Sequence, residues 1–223
     1  MYTDDIKKLC PSIVPEQIIQ LRSFADLLRL YNKRLNLISR SDIEQLWTNH
    51  IFPSLLADIL LPFPSGVAVL DLGSGGGLPG IPLKIIRPDL KFVLLDSSQK
   101  KTAFLRMAVM KLGLSGVEIV NTRISAPKID KRLLSRFGVV TARAVANFDS
   151  LFKWSLPLLE TGGYLLAWKG ESDLAELQTV VKEKGLEYQV VRVPKKYWPL
   201  SSKFDQLCFV KLFAKVSGDS KAL

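Results

Sequence analysis

The sequence predicts an α/β protein with a Rossmann-like, mostly parallel sheet and a helical cap at its N-terminus. Three observations carry this prediction. The first 65 residues show only helical periodicity, a buried strand then runs into a glycine-rich turn, and apolar strands alternate with amphipathic helices from there on. A chain of 223 residues can form one domain with a full core, or one domain plus a small cap. We place the cap at residues 1–65 and the main domain at residues 66–223.

The cap is predicted from its helical patterns. Apolar side chains recur at three-and-four spacing over residues 18–31, which predicts an amphipathic helix. Ser41 and Asp42 are candidate N-caps of a second helix, and a third short helix is predicted over residues 54–61. These helices are too few and too amphipathic to stand alone, so we expect them to pack on the main domain.

The main domain is organised around residues 67–80, VAVLDLGSGGGLPG. An apolar β run ends at Leu72, a glycine break follows, and helical spacing resumes after Pro79. Proline suits the first turn of a helix, where its missing N–H costs nothing. Because glycine has no Cβ and tolerates positive φ, such a turn lets a ligand approach the backbone closely.

Two classes of ligand use a turn of this kind. Gly75, Gly77 and Gly80 satisfy the dinucleotide pattern G-x-G-x-x-G. Asp71, Gly73 and Gly75 form an acidic-x-G-x-G pattern, which resembles the S-adenosylmethionine (SAM) loop of Rossmann-like methyltransferases. A pyrophosphate at a helix N-terminus disfavours a carboxylate beside it, whereas the cationic amino-acid end of SAM is compatible with one. We favour SAM, and an NAD-dependent oxidoreductase remains the alternative.

Strands and helices alternate after the turn, which implies a parallel sheet with helices on both faces. The predicted strands cover residues 91–96, 117–120, 138–141 and 163–168, with a closing antiparallel pair at 187–193 and 206–214. The predicted helices cover residues 99–112, 148–159 and 171–184.

Candidate site residues lie at the strand ends, because ligands of such sheets bind outside the carboxyl ends of the strands. Asp96 ends the second strand, and its carboxylate can accept both hydroxyls of a ribose; the alternative is an N-cap for the helix from Gln99. The third strand ends near Ile124 and Ser125, where an adenine would lie. The fourth ends at Arg143, for which a surface salt bridge is the alternative.

The loop DLGSGGGLPGIPL, followed by LLDSSQKKTAFL, resembles the RsmG/GidB family of small-subunit ribosomal RNA guanine-N7 methyltransferases. The segments YNKRLNLIS, TARAVA and LLAWKG extend the resemblance over nearly the whole chain. It implies a class I SAM-methyltransferase fold with a seven-stranded, mostly parallel sheet. It also implies SAM as cofactor, and 16S ribosomal RNA or a ribosomal particle as partner. The chain departs from the family pattern at Pro53 and Ser125, where aspartate and glutamate are usual, and at residues 203–205, which replace an Arg-His pair.

The residues expected at the site follow from the strand ends, the loop pattern and the resemblance together. The candidate cofactor-binding residues are Asp71, Gly73, Gly75, Gly77, Leu78, Asp96, Ile124, Ser125 and Arg143. The candidate catalytic residues are Arg143 and Lys169.

Methyl transfer to guanine N7 needs little machinery. The N7 lone pair carries no proton, so direct displacement needs no general base, and proximity and alignment can supply the catalysis. Arg143 or Lys169 is expected to hold guanine O6 and neighbouring phosphates. The single histidine, His50, forms no cluster for metal or triad chemistry, and we expect it to be structural.

The net charge of +10 is concentrated in residues 100–143, which hold ten Lys or Arg against two acids. A run of charge is usually a solvated helix face. Its concentration here favours a surface that binds RNA phosphates. A non-catalytic RNA-binding module therefore stays open as a third hypothesis. The ten cations are Lys100, Lys101, Arg106, Lys111, Arg123, Lys128, Lys131, Arg132, Arg136 and Arg143.

Several classes of protein are disfavoured. The two cysteines are far apart without a C-x-x-C pattern, so we expect neither a disulfide framework nor a metal site. The N-terminus lacks the apolar segment of a signal peptide. The most apolar region, residues 51–72, contains two aspartates and three prolines, which disfavours a membrane helix. We expect a cytoplasmic monomer.

Overall fold

A computed structural model describes residues 2–124 and 130–213. Its strands are β1 (Ala68–Leu72), β2 (Lys91–Asp96), β3 (Val117–Asn121), β4 (Phe137–Arg143), β5 (Leu159–Gly170), β6 (Glu187–Arg192) and β7 (Leu207–Phe213). They form one seven-stranded sheet in the order β3-β2-β1-β4-β5-β7-β6. The first five strands in this order run parallel to one another, and β7 runs antiparallel to β5 and β6. The predicted α/β fold is confirmed.

Eight α-helices are assigned within the described residues. They are α1 (Thr3–Leu9), α2 (Pro15–Leu35), α3 (Arg40–Ile43), α4 (Phe52–Leu60), α5 (Gly80–Ile86), α6 (Gln99–Lys111), α7 (Phe148–Ser155) and α8 (Leu174–Lys184). A π-helical turn over Trp47–Ile51 leads into α4. The helix predicted over residues 148–159 ends at Ser155, because a 3₁₀ turn containing Pro157 intervenes before β5.

The predicted cap of the second helix is wrong. Ser39 caps α3, its Oγ accepting from the backbone N–H of Asp42 at 3.1 Å. Neither Ser41 nor Asp42 serves as the N-cap. The Asp42 carboxylate instead accepts hydrogen bonds from side chains, including the amide of Asn49 at 2.9 Å. The helix is also a single turn, separated from the π-helical turn by a break at residues 44 and 45.

The core has two layers, one on each face of the sheet. Alternate side chains of β1 divide between them: Val69 joins the layer under α5 and α6, and Leu70 joins the layer under α7 and α8. The buried side chains of α1, α2 and α4 belong to the first layer. The cap helices thus pack on the main domain in one continuous core, and the boundary at residue 65 stays a prediction.

The carboxyl ends of β1, β2, β4 and β5 meet at one edge of the sheet, and the irregular part of the cap lies over that edge. Gly76 of the glycine turn packs there against the cap, where a Cβ would lie 2.9 Å from Leu28 and 3.2 Å from Leu37. The indole of Trp168, near the end of β5, donates to the carbonyl of Pro53 at 2.9 Å. Among the described helices, none is both long and apolar enough to cross a membrane.

Candidate active site

The glycine turn takes conformations that other residues rarely adopt. Gly73, Gly75 and Gly77 have φ values of 73°, 55° and 87°. A Cβ on Gly73 would also lie 2.8 Å from a methyl of Val145. The turn therefore requires glycine for its conformation at three positions and, at Gly73 and Gly77, also for space.

Asp71 lies beneath this turn. Its carboxylate is buried, and it accepts from the N–H of Gly80 at 3.2 Å and from the Thr141 hydroxyl at 2.9 Å. Burial raises the pKa of Asp71 to about 6. The side chain does not line a cavity found among the described residues, so its position favours holding β1 to α5 over the direct SAM contact expected from the sequence.

The packing of Gly80 explains the third glycine of the dinucleotide pattern. A Cβ there would collide with Leu94 and would lie 2.7 Å from the Asp71 carboxylate. The N–H of Gly80 is already taken by Asp71, so it is not free to receive a pyrophosphate. The pattern arises here from helix–strand packing.

Asp96 ends β2 beside the turn. One carboxylate oxygen accepts from the Gly75 N–H at 2.9 Å and the other from the Ser98 N–H at 2.8 Å. Ser98, not Asp96, caps α6. Since each carboxylate oxygen can accept two hydrogen bonds, a lone pair on each remains for the two hydroxyls of a ribose.

Three cavities open along this edge of the sheet. The β2 cavity, about 410 Å³, is lined by ten residues that include Gly73, Asp96 and Ile124. The loop cavity, about 390 Å³, is lined by Gly73 to Gly76, Leu78 and the facing cap segment. Gly73 borders both, so the two cavities adjoin at the glycine turn. Ser125, expected beside the adenine, lies outside the described residues.

The cap cavity, about 580 Å³, extends the cleft beyond the end of β4. It shares four bordering residues with the loop cavity, namely Asp42, His50, Arg143 and Ala144. Lys169 and Lys203 also line it. The cleft thus runs from Asp96, past the glycine turn, to a cavity between the cap and β5.

Arg143 joins the cap to the sheet. From the end of β4, its guanidinium donates to the backbone carbonyls of Asn49 and His50, which belong to the π-helical turn. Burial lowers the pKa of Arg143 to about 10, so the side chain stays charged at neutral pH. Its position favours alignment of the cap, because its donors are directed at the cap backbone.

Lys169, near the end of β5, lies in the cap cavity. Its ammonium donates to the carbonyl of Ala146 at 3.1 Å and stands 4.5 Å from the ring centroid of Phe148. An ammonium has three donors, so two remain for a ligand. The guanidinium of Arg143 has five donors and uses two of them on the cap backbone, so both predicted catalytic residues keep donors beside the cavity.

The polar cluster on the cap wall is not predicted by any motif of the sequence. Asp42 borders both the loop and cap cavities, and its pKa is lowered to about 2, chiefly by the hydrogen bond from Ser39. The His50 Nε2 lies 3.8 Å from an Asp42 oxygen and has no hydrogen-bond partner among the described residues. Burial, assisted by the charge of Arg143, lowers the pKa of His50 to about 4. The histidine is therefore neutral at neutral pH.

The predicted basic run does not form one surface. The cations of α6 lie on the face of the sheet that carries the cap, whereas the 3₁₀ turn with Lys131 and Arg132 packs on the other face. Two of the ten cations form ion pairs with acids, Arg132 with Asp130 at 2.7 Å and Arg136 at 2.8 Å from a Glu118 oxygen. Lys128 falls outside the described residues. Lys101 borders the loop cavity.

A second basic surface lies on the cap, and we call it the basic hollow. This concavity of about 800 Å³ is lined by Arg29, Asn32, Lys33, Arg34, Asn36, Arg40, Ile43 and Glu44. It holds four cations against one carboxylate. The hollow adjoins the cleft across α3, whose Arg40 faces the hollow and whose Asp42 faces the cleft.

The sheet order, the glycine turn and the carboxylate after β2 together define a class I SAM-dependent methyltransferase. Solved structures share this fold. A SAM-dependent methyltransferase from Aquifex aeolicus is 14% identical, with a TM-score of 0.57 over 79% of this chain and 98% of that one. Fibrillarin from Aeropyrum pernix, solved with bound SAM, is 17% identical, with a TM-score of 0.53 over 75% of each chain.

Within this class, the chain belongs to the GidB family, described as rRNA small subunit methyltransferase G, whose model matches residues 17–198. A relative named ribosomal RNA small subunit methyltransferase G, from Moorella thermoacetica, is 37% identical over 77% of this chain and 71% of its own length. A relative of the same name from Neisseria meningitidis serogroup A is 43% identical over 68% of this chain and 70% of its own length.

Proposed function

We propose that this protein transfers a methyl group from SAM to N7 of a guanosine in small-subunit (16S) ribosomal RNA. Family membership supports the RNA class. The observation that carries the chemistry is the continuous cleft, which joins a SAM-sized groove to a cavity that contains cations. Asp42 and His50 border this cavity, but the pKa of Asp42 is lowered to about 2 and that of His50 to about 4, so both are weak proton acceptors.

The cofactor-binding residues are assigned from their places along the groove. The Asp96 carboxylate binds the ribose, Ile124 flanks the adenine, and Gly73 to Gly75 with Leu78 contact the methionine part. Gly77 shapes the turn rather than lining the cavity. The open backbone at Gly73 and the free lone pairs on Asp96 fit this ligand. SAM, when bound, supplies an electrophilic methyl carbon.

The chain's own residues align the reaction. An unstacked guanine enters the cap cavity. The Lys169 ammonium donates to O6, next to the attacking N7. Arg143 keeps the π-helical turn, and with it the cavity wall, in place. Because N7 carries no proton, alignment replaces general-base catalysis.

RNA flanking the target base follows the cations around the cleft. Lys101 and the basic hollow are close enough to the cleft to bind phosphates on either side of the inserted nucleotide. We further propose that the protein acts as a monomer in the cytoplasm, where this RNA is assembled into ribosomal particles.

The test is methyl transfer in vitro followed by mass spectrometry of the nucleosides. Purified protein is incubated with isotope-labelled SAM and either 16S ribosomal RNA or 30S particles from cells lacking this enzyme. The expected product is 7-methylguanosine. A different methylated nucleoside would contradict the N7 assignment, and RNA binding without methyl transfer would identify a binding module.

The Asp96 assignment has its own test. Asp96→Ala should weaken SAM binding by roughly 1.5–3 kcal/mol, the range for hydrogen bonds to a charged group. Isothermal calorimetry measures this, with Asp96→Asn as a control that keeps the shape of the side chain. Unchanged affinity in the alanine variant would remove Asp96 from the site.

A further inference from the structure

Methyl transfer to guanine N7 moves a positive charge. The N7 lone pair forms the new bond to carbon, and the electrons of the carbon–sulfur bond stay on sulfur. The sulfur becomes neutral, and the base becomes a cation whose N1–H and N2–H₂ groups are stronger hydrogen-bond donors. An interaction with these donors therefore strengthens as the reaction proceeds, which is the condition for lowering the barrier.

One carboxylate is placed to respond to this charge. Among the described residues that border the loop cavity, Asp42 is the one acid, and it faces the glycine turn from the cap side. It also borders the cap cavity, so it stands where the two cavities join. Asp173, the other acid of the cap cavity, has one oxygen bound by the N–H of Gly170 at 2.8 Å and does not border the loop cavity.

The hydrogen bonds of Asp42 leave one acceptor position unused. Oδ1 accepts from the Asn49 amide at 2.9 Å and from the Lys203 ammonium at 3.3 Å. Oδ2 accepts from the Ser39 hydroxyl at 2.8 Å, and the His50 Nε2 lies beyond hydrogen-bond distance at 3.8 Å. Each oxygen can accept two hydrogen bonds, so Oδ2 retains a lone pair.

The neighbouring charges leave Asp42 effective as an anion. Lys203 is the nearest cation, but 62% of its side chain is exposed, so solvent screens it. His50 is neutral at neutral pH. The charge of Arg143 also interacts with that of Asp42, but two of its N–H groups donate to the carbonyls of Asn49 and His50, and the described contacts include no hydrogen bond from it to the carboxylate.

We propose that the Asp42 carboxylate accepts a hydrogen bond from the Watson–Crick edge of the target guanine and stabilises the positive charge that the base acquires. Asp42 is then a catalytic residue that also selects guanine, because adenine presents no N1–H donor. The inference rests on the proposed N7 methylation. It places Lys169 at O6, on the side of the base that carries N7, and Asp42 at N1 and N2, on the Watson–Crick side.

The test compares binding of two RNAs with S-adenosylhomocysteine present. They are the segment of 16S ribosomal RNA in which mass spectrometry of nuclease fragments locates the methyl group, and the same segment with 7-methylguanosine at the target. In Asp42→Asn, the affinity for the methylated RNA relative to the unmethylated one should fall by about tenfold or more, the range for a hydrogen bond to a charged group. The single-turnover rate should fall by a similar factor, while cooperative thermal unfolding shows that the variant is still folded.

Two further variants separate a direct contact from a disturbed cap. Glu44→Gln removes the same charge two residues along, but Glu44 faces the basic hollow, so it should shift both RNA affinities alike. Lys203→Met removes the ammonium that donates to Asp42 Oδ1. It should therefore raise the preference for methylated RNA, and local unfolding would not produce such a rise. An unchanged preference in Asp42→Asn, or an equal loss in Glu44→Gln, would overturn the inference. Absence of 7-methylguanosine would instead refute the proposed function.

Discussion

The two walls of the cleft are built in different ways. The glycine turn is fixed by its own backbone, through positive φ at three glycines and two carboxylates at strand ends that hold N–H groups of Gly75 and Gly80. The cap wall is held by side chains that reach across the sequence, such as Arg143 to the carbonyl of His50 and Lys203 to Asp42. The cofactor side therefore depends on local conformation, and the substrate side on long-range contacts.

The largest effect is expected where the turn is tightest. Gly77→Ala places a Cβ at φ 87°, 3.2 Å from Leu105 and in collision with Ile81. Positive φ and overpacking together should cost about 2–4 kcal/mol of unfolding free energy. Urea unfolding measures this, and SAM binding should be abolished.

Gly113→Ala is the matched control, because Gly113 has φ 64° with no described atom near the position of its Cβ. It should cost only about 1 kcal/mol and leave SAM affinity intact. Equal losses of stability at the two glycines would show that tight packing does not define the turn.

Arg143 and Lys169 test the cap wall. Arg143→Ala removes the guanidinium donors from the carbonyls of Asn49 and His50, of which His50 keeps the Ser54 hydroxyl at 2.7 Å. It should lower the unfolding free energy by about 1–3 kcal/mol and also lower the methyl-transfer rate. Lys169→Ala should lower the rate, with a stability change below about 1 kcal/mol. Thermal unfolding and single-turnover assays separate the two roles. A stable but inactive Arg143→Ala variant would indicate that Arg143 binds the substrate instead of holding the cap.

The two walls also differ in how their stability responds to pH. His50 has a folded pKa of about 4 against 6.5 unfolded, so between these values the unfolded state binds more protons and stability rises with pH. Asp71 has a folded pKa of about 6 against 3.8 unfolded, so the folded state binds more protons there and stability falls as pH rises.

The two pH dependences oppose each other, so removing either group should make the effect of the other measurable. In His50→Gln, the free energy of unfolding should lose the contribution that rises with pH. In Asp71→Asn, it should lose the contribution that falls with pH. Each contribution should amount to roughly 1–3 kcal/mol between about pH 4 and 6. Chemical denaturation across this range measures both slopes. Because both pKa values lie below 6.5 and N7 carries no proton, methyl transfer should be nearly flat from about pH 6.5 to 8.5. A tenfold rise abolished by His50→Ala would contradict the base-free mechanism.

The smallest effect concerns RNA phosphates. Replacing Lys33 and Arg34 in the basic hollow by alanine should reduce the dependence of log affinity on log salt by about 0.7 for each phosphate that the protein no longer neutralises. Replacing Lys131 and Arg132 tests the surface predicted from the sequence, and Lys182→Ala on α8 is the control. A slope changed only at Lys131 and Arg132 would place the RNA on the other face of the sheet.

Local sequence was sufficient for the fold and for the cofactor side of the cleft. Alternating strand and helix patterns imply a parallel sheet, and such a sheet brings Asp96 and Arg143 to the same edge. Glycines at positive φ are likewise a local property, so the turn at Gly73 to Gly77 is visible without a structure. The buried environment of Asp71 is not visible in the local sequence, because the hydroxyl that donates to its carboxylate belongs to Thr141, seventy residues away.

The tertiary structure alone decided the substrate side. Residues 1–65 have balanced charges, and only folding separates the cations of the hollow from the carboxylate of Asp42 on the two sides of α3. The sequence pattern indicates a ligand-binding role for Arg143, and its interaction with the cap backbone exists only once β4 and the π-helical turn are packed together. A backbone conformation is encoded by neighbouring residues, whereas a cavity wall made of side chains is encoded by which distant elements meet.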